Sequence, residues 1–230
     1  CVFCASSIGG FKRDLSAAEM VGQIYAAAKD TEKRISHVVI MGMGEPLDNY
    51  DNILRFIEII THPKGANISP RRITLSTCGI IPKIKDLAAR DLQITLAISL
   101  HAPNDQIRRQ IMPISKIYPM DKLLDTAKMY AQNQRRITFE YALISGINDS
   151  PMQANELARR LKGIFCHVNL IGVNSVDNIT QGERYAKSGK KTIAEFARIL
   201  TQNGINVTIR RELGPDIAAA CGQLRNQNQK

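Results

Sequence analysis

His37-Val-Val-Ile-Met-Gly-Met-Gly-Glu-Pro46 begins with a β-branched apolar run, breaks at Gly42 and Gly44, and leads into Ile53, Leu54, Ile57 and Ile60 at helical spacing. It reads as strand, glycine-rich loop, helix, and the same alternation runs through the rest of the chain. A strand over 72–76 is followed by Gly79 and the helical pattern Ile84, Leu87, Ala88. A strand over 93–100 precedes a helix carrying Leu123, Leu124, Ala127 and Tyr130. Strands over 137–144 and 166–171 precede helices over 151–161 and 192–200, and a last strand over 206–210 precedes a short Ala-rich helix over 217–220. Upstream, Ser16 with Glu19 forms a capping box, and Met20, Val21, Ile24, Tyr25 and Ala28 continue as an amphipathic helix.

Six strand-like segments that are apolar nearly throughout and separated by helices indicate an α/β fold, a parallel sheet covered by helices. An open flavodoxin-like sheet and a closed or partial (β/α) barrel share this pattern, and both gather ligands at the carboxyl ends of the strands. Residues 172–191 are polar and aperiodic, which predicts a surface loop inside a single core spanning 1–230.

The chain has 230 residues, 44% of them hydrophobic, a balance that supports a packed core and excludes a disordered or low-complexity chain. No apolar run reaches the roughly 20 residues of a membrane span, and no leader pattern opens the chain, so the expected compartment is the cytoplasm. Thirty-one Lys and Arg against 21 Asp and Glu leave a net charge of +10, which favours a polyanionic partner such as RNA or DNA over a merely soluble basic surface. Five cysteines at irregular spacing do not form a disulfide framework.

Several groups can carry chemistry. Cys1-Val-Phe-Cys4 is a C-x-x-C pair compatible with zinc, redox or iron-sulfur chemistry, although Gly9-Gly10 interrupts the helix that a thioredoxin motif needs next. Glu45 follows a strand in a loop whose glycines let backbone approach a ligand; taken alone, that loop is equally a tight turn with an exposed carboxylate. Ser76, Ser99, Leu100 and His101 stand at the ends of the next two strands, where hydroxyl, backbone and imidazole groups can meet a ligand. His101 taken alone is equally a hydrogen-bonded histidine at a strand end. Cys221 comes after the last strand, at or near the start of a helix, where a thiol pKa can be depressed. Cys78 and Cys166 lie in apolar runs and read as packing. The pairs Arg71-Arg72, Arg108-Arg109, Arg135-Arg136 and Arg210-Arg211 are candidate phosphate ligands. A chain with no Trp shows no evident aromatic platform for bases.

Five motifs together carry a resemblance: Cys1-Val-Phe-Cys4-Ala-Ser, Met41-Gly-Met-Gly-Glu-Pro46, Leu75-Ser-Thr77, Ala97-Ile-Ser-Leu-His-Ala-Pro-Asn104 and Asp216-Ile-Ala-Ala-Ala-Cys-Gly-Gln-Leu224. In this order, from Cys1 to Leu224, the chain resembles the radical S-adenosylmethionine RNA methyltransferases of the RlmN/Cfr family. The resemblance implies a partial (β/α) barrel, truncated at its N-terminus, with the first strand and an accessory domain missing. It implies a 4Fe-4S cluster held by Cys1 and Cys4 as the second and third cysteines of C-x-x-x-C-x-x-C, with the first falling four positions before Cys1, and hence a labile cluster. It implies S-adenosylmethionine contacts at Gly44, Glu45, Ser76, Ser99, Leu100, His101 and Asn174, with the Asn174 match weakened because Gly172 and Ser175 stand where relatives carry prolines.

In the family the cysteine matching Cys221 accepts a methyl group from one cofactor molecule. The reduced cluster then cleaves a second molecule to a 5′-deoxyadenosyl radical, which activates that S-methyl group for addition to adenine. The implied reaction is methylation of carbon 2 of an adenine in 23S rRNA and tRNA, with an electron donor of flavodoxin or ferredoxin type. A cysteine upstream of the cluster motif releases the product in the family and is not in this sequence, so an impaired fragment is expected. Carbon-8 methylation, the resistance activity, and a non-catalytic RNA-binding module on the same scaffold are the alternatives.

Overall fold

The computed structural model describes residues 1–4, 10–133, 135–173 and 185–210. In chain order the elements are α1 (Ala17–Thr31), β1 (Val38–Ile40), α2 (Tyr50–Thr61), β2 (Ile73–Thr77), α3 (Ile81–Ala88), β3 (Thr95–Ser99), α4 (Asp105–Ile111), α5 (Met120–Asn133), β4 (Ile137–Leu143), α6 (Pro151–Leu161), β5 (Cys166–Gly172), α7 (Lys190–Gln202) and β6 (Asn206–Ile209). The six strands form one sheet in the order β1-β2-β3-β4-β5-β6, with every neighbouring pair parallel. Strand order never reverses, which separates this sheet from a flavodoxin-like one and matches a barrel wall. Among the described residues β1 and β6 do not pair with each other, so the barrel is open.

Alternation along each strand sorts the side chains onto two faces. Leu75, Leu96, Ile98, Phe139, Tyr141, Val168 and Leu170 join the main core with Ile57, Ile84, Leu123, Leu157 and Phe196 from the helices. The rings of Tyr141 and Phe196 lie 5.1 Å apart at that boundary. The opposite, inner face carries the alternate residues, among them Ser76, Ser99, Thr138, Glu140, His167 and Asn169. Register sets Ser99 beside Glu140, and Glu140 beside Asn169. All seven residues of β4 are buried, as befits a strand in mid-sheet.

Local signals fix the helix starts. Ser16 accepts the Glu19 N–H while the Glu19 carboxylate accepts the Ser16 N–H at 2.9 Å, and Ser150 with Gln153 repeats the box at α6. The expected strand over 93–100 begins two residues later, because Gln93 adopts φ +51° and cannot extend the ladder. Helix α4 escapes the periodicity reading because it has only seven residues and is stopped by Pro113; its signal is Asn104, whose side chain accepts the Ile107 N–H at 3.0 Å. The polar stretch expected over 172–191 is framed more tightly: Gly172 ends β5, Lys187 bridges to Ile144 in antiparallel fashion, and Lys190 opens α7.

Candidate functional site at the carboxyl ends of the strands

Glu45 stands in the loop after β1. Gly44 before it has φ +89°, a conformation that L side chains rarely adopt, so the bend that turns Glu45 inward depends on glycine. The Glu45 carboxylate accepts the Leu47 N–H at 3.0 Å and, across the gap to the next loop, the Cys78 N–H at 2.7 Å. Two backbone donors therefore fix its orientation and leave further lone pairs for a cation.

Cys78 is only half-buried in this setting, yet burial first, and then the Glu45 charge, push its thiol well above the usual range. Its N–H is the part that orients Glu45.

Behind these loops lies Arg108, fully buried and without a carboxylate partner among the described residues. Its Nη2 donates to the carbonyls of Cys78 at 2.8 Å and Ser99 at 3.2 Å, and its Nε donates to that of Leu100 at 3.2 Å. One guanidinium thus ties the ends of β2 and β3 together. Burial lowers its pKa to about 10, with Cys78 and Asp105 opposing the shift, so it remains charged at neutral pH. The expectation that Arg108 binds phosphate is corrected: the side chain is buried, its Nη2 and Nε are taken by carbonyls, and its buried Nη1 has no partner among the described residues.

His101, with φ +55°, is also buried. Its Nδ1 accepts the Ala142 N–H at 3.0 Å, which places the proton of the neutral ring on Nε2. Its carbonyl accepts from Asn148 Nδ2 at 2.7 Å, and the same amide group also reaches the Ala142 carbonyl at 2.7 Å. Burial pushes the imidazole down to about 3, so the ring is neutral at any physiological pH. The imidazole latches β3 to β4 through Nδ1, and the Leu100 and His101 N–H groups both donate to the Glu140 carbonyl, so Nε2 is the group left for a ligand.

The Cys1–Cys4 segment is seated over these strand ends. Val2 N–H donates to the Ile111 carbonyl at 3.0 Å, Cys4 N–H closes a turn on the Cys1 carbonyl at 3.2 Å, and Phe3 meets the His101 ring edge-on at 5.3 Å. Phe3 packs in a second apolar cluster with Ala102, Ile111, Met112, Ala142, Ile144 and Val173, against which Cys1 and Cys78 also lie. One turn therefore presents both thiols at the same end of the sheet as Glu45.

On the inner face, Asn169 Nδ2 donates to Glu140 Oε1 at 3.0 Å and Asn169 Oδ1 meets His167 Nε2 at 3.0 Å. Burial raises the Glu140 pKa against the Asn169 hydrogen bond and the Arg210 charge. Ser76 and Ser99 are partly exposed on this face near the strand ends.

The structure thus brings Gly44, Glu45, Ser76, Ser99, Leu100, His101, Cys1 and Cys4 to one end of the sheet. Asn174 and Cys221 lie outside the described residues. Sequence reasoning missed Arg108 as a brace and Asn148 as an anchor of the His101 bend. The only advance signal was Asn148 ahead of the Ser150-Pro151 helix start, which reads as an ordinary turn.

The sequence profile of the Radical SAM superfamily matches residues 1–158. The chain belongs to that superfamily. Its similarity to solved structures agrees: a crystal structure of a radical SAM methyltransferase from Sphaerobacter thermophilus is 43% identical, with a TM-score of 0.93 over 98% of this chain and 66% of that one. Streptococcus suis SuiB bound to S-adenosylmethionine, at 18% identity and TM-score 0.68, shares the fold over 95% of this chain and 48% of its own.

Among curated proteins, the "Probable dual-specificity RNA methyltransferase RlmN" of Clostridium tetani is 54% identical over 99% of this chain and 64% of its own length. The similarly named protein of Geobacillus kaustophilus is 50% identical over 100% of this chain and 63% of its own. The chain therefore spans a little under two thirds of the length of these relatives. The superfamily implies S-adenosylmethionine and a 4Fe-4S cluster. One turn supplies two thiols toward such a cluster, and no group of three His, Cys, Asp or Glu able to hold a metal occurs among the described residues. The chain fits two ligand positions of the cluster, and a third thiolate has to come from outside the described residues.

Proposed function

We propose that this chain is the radical S-adenosylmethionine core of an RNA methyltransferase. The proposed reaction methylates carbon 2 of an adenine in 23S rRNA and tRNA, in the cytoplasm, with electrons from a flavodoxin- or ferredoxin-type donor. The observation that carries the reading is the 54% identity over 99% of the chain to a protein named a dual-specificity RNA methyltransferase. The Glu45 geometry supports it.

When bound, the cluster supplies an electron to the sulfonium cofactor. The residues of the chain do the rest. Cys1 and Cys4 hold two positions of the cluster from one turn. Glu45, oriented by the Leu47 and Cys78 N–H groups, accepts the ammonium of the cofactor's methionine in a charge-assisted hydrogen bond. Gly44 lets backbone approach, Ser76 and Ser99 offer hydroxyls from the inner face, and Leu100, His101 and Asn174 complete the nucleoside contacts. Cys221 would serve as the methyl carrier, its thiolate bonding to the methyl carbon of the sulfonium as the thioether S-adenosylhomocysteine leaves.

Peptide mass spectrometry across Cys221, on protein expressed with ample iron and sulfide, tests the reading. A gain of one methyl group that is lost on Cys4→Ala supports it. An unmodified Cys221 in protein that carries a 4Fe-4S cluster refutes the carrier role and moves the weight to a non-catalytic RNA-binding module. Mapping the methyl group on the product adenine separates carbon 2 from carbon 8.

A further inference from the structure

We infer that the end of the sheet opposite the cofactor site is a second RNA-contact surface, which engages phosphates and an unstacked base without reading sequence. The inference rests on the RNA-methyltransferase reading above.

Because all six strands are parallel, the segments that enter them collect at one end. The entering segments 32–37, 62–72, 89–94, 134–136, 162–165 and 203–205 hold nine lysines and arginines against Glu32 and Asp91. The segments that leave β1, β2, β3 and β4 toward the next helix hold Glu45, Asp48 and Asp149 and no lysine or arginine. The entry end thus carries a net +7 of the chain's +10.

The entry end is also pre-arranged. Arg135 Nη1 donates to the Arg71 carbonyl at 3.1 Å, and it reaches the Gln93 carbonyl at 3.5 Å and Thr95 Oγ1 at 3.3 Å. That one side chain joins the entrances of β2, β3 and β4. The Ile137 N–H donates to the Phe165 carbonyl at 3.2 Å, so the segment carrying Phe165 adjoins the one carrying Arg136. Arg71, Arg72 and Arg136 are exposed and form no salt bridge among the described residues. Phe165 is 65% exposed on the segment that adjoins the one carrying Arg136. Exposed arginines on the same end of the sheet as an exposed aromatic side chain match the chemistry of single-stranded RNA, with phosphates on the guanidinium groups and a base on the ring.

The geometry argues against other anions. Four strand spacings of about 4.8 Å separate β1 from β5, so the cations extend over roughly 19 Å, more than one phosphate group covers. An acidic electron-carrier protein has to reach the Cys1–Cys4 turn, which sits at the other end of β4 and β5, seven-residue strands roughly 23 Å long.

The test is fluorescence anisotropy of the chain with a labelled RNA hairpin that has a single-stranded loop, repeated across salt concentrations. The triple variant Arg71→Gln/Arg72→Gln/Arg136→Gln is expected to weaken binding at least tenfold near 0.1 M salt. It should also flatten the slope of log K against log salt by about 0.7 to 0.9 per lost phosphate contact. Phe165→Ala should weaken binding several-fold with the slope unchanged, since a ring releases no counterions. A charge-matched triple on exposed helix positions, Lys29→Gln/Lys122→Gln/Lys128→Gln, should stay within about twofold, and thermal melting checks that all variants fold.

Equal losses in the two triples, no loss in the first, or a loss of binding to anionic vesicles with RNA affinity intact would each overturn the inference. If the unaltered chain binds no RNA, the RNA-methyltransferase reading falls with it. If the chain binds RNA and the arginine triple changes nothing, only the second surface falls.

Discussion

The carboxylate of Glu45, in the loop after β1, accepts the backbone N–H of Cys78, in the loop after β2, at 2.7 Å. The proposed ammonium receptor is therefore shared between two βα units and is set by a peptide group whose position is in turn fixed by Arg108 on the Cys78 carbonyl. Glu45→Gln keeps one acceptor and loses the charge. S-adenosylmethionine affinity, read by equilibrium dialysis, is expected to fall roughly ten- to a hundredfold, the value of about 1.5–3 kcal/mol for a hydrogen bond to a charged group. Unchanged affinity would remove Glu45 from the cofactor site.

Arg108→Met keeps much of the buried volume and removes the donors that the Cys78, Ser99 and Leu100 carbonyls share. Buried acceptors without partners cost about 1–3 kcal/mol each and do not add fully, so a loss of about 3 kcal/mol is expected in urea unfolding. Arg108→Lys should recover only part of that, because an ammonium cannot span the fork. A neutral result for Met would mean that the strand ends hold without the brace.

His101 gives the fold an acid-side weakness. Its folded pKa, near 3, lies below the ordinary 6.5, so the unfolded chain binds the proton that the folded one refuses. The stabilising contribution is complete above pH 6.5 and is lost as pH falls toward 3. Between pH 7 and 5 the loss is about 2 kcal/mol from this group. Glu140, with its raised pKa, acts in the opposite direction, losing stability as pH rises. Comparison with His101→Gln isolates the histidine: the variant should lack about 2 kcal/mol of the wild-type change between these pH values. Parallel pH profiles would show that the ring is solvated in solution.

At the start of α6, Ser150 accepts the Gln153 N–H at 3.3 Å while Gln153 Oε1 accepts the Ser150 N–H at 2.8 Å. Ser150→Ala should cost about 1 kcal/mol in chemical denaturation and leave cofactor affinity unchanged. A change in affinity would show that the α6 start is coupled to the His101 bend through Asn148.

The alternation of short apolar strands with amphipathic helices made all six strands legible, because a strand buried on both faces has no room for polar residues on its helix side. Glu45, Ser76 and Ser99 were legible as site candidates because parallel topology sends every strand's carboxyl end to the same place. What the sequence left open was the choice between sheet and barrel, since strand order is a property of pairing and leaves no mark in periodicity. Arg108 was misread for a related reason: an Arg-Arg pair looks identical whether it meets phosphate or three carbonyls. His101 was balanced between ligand and latch until the Ala142 N–H was seen on Nδ1.

Each strand in this sheet pairs only with those immediately before and after it in the chain. Among the described residues no strand inserts between two earlier ones, and no early strand waits for a distant partner. Each closure therefore spans 21 to 41 residues between paired positions, and no pairing has to wait for a longer loop. During synthesis the wall can be laid down in the order in which it is translated, with β1 and β2 joined while β6 is still to be made. Inserting or deleting a whole strand-helix unit at either end of the sheet therefore leaves the pairing of the interior strands intact, whereas exchanging the order of two interior units breaks the ladders on both sides of each.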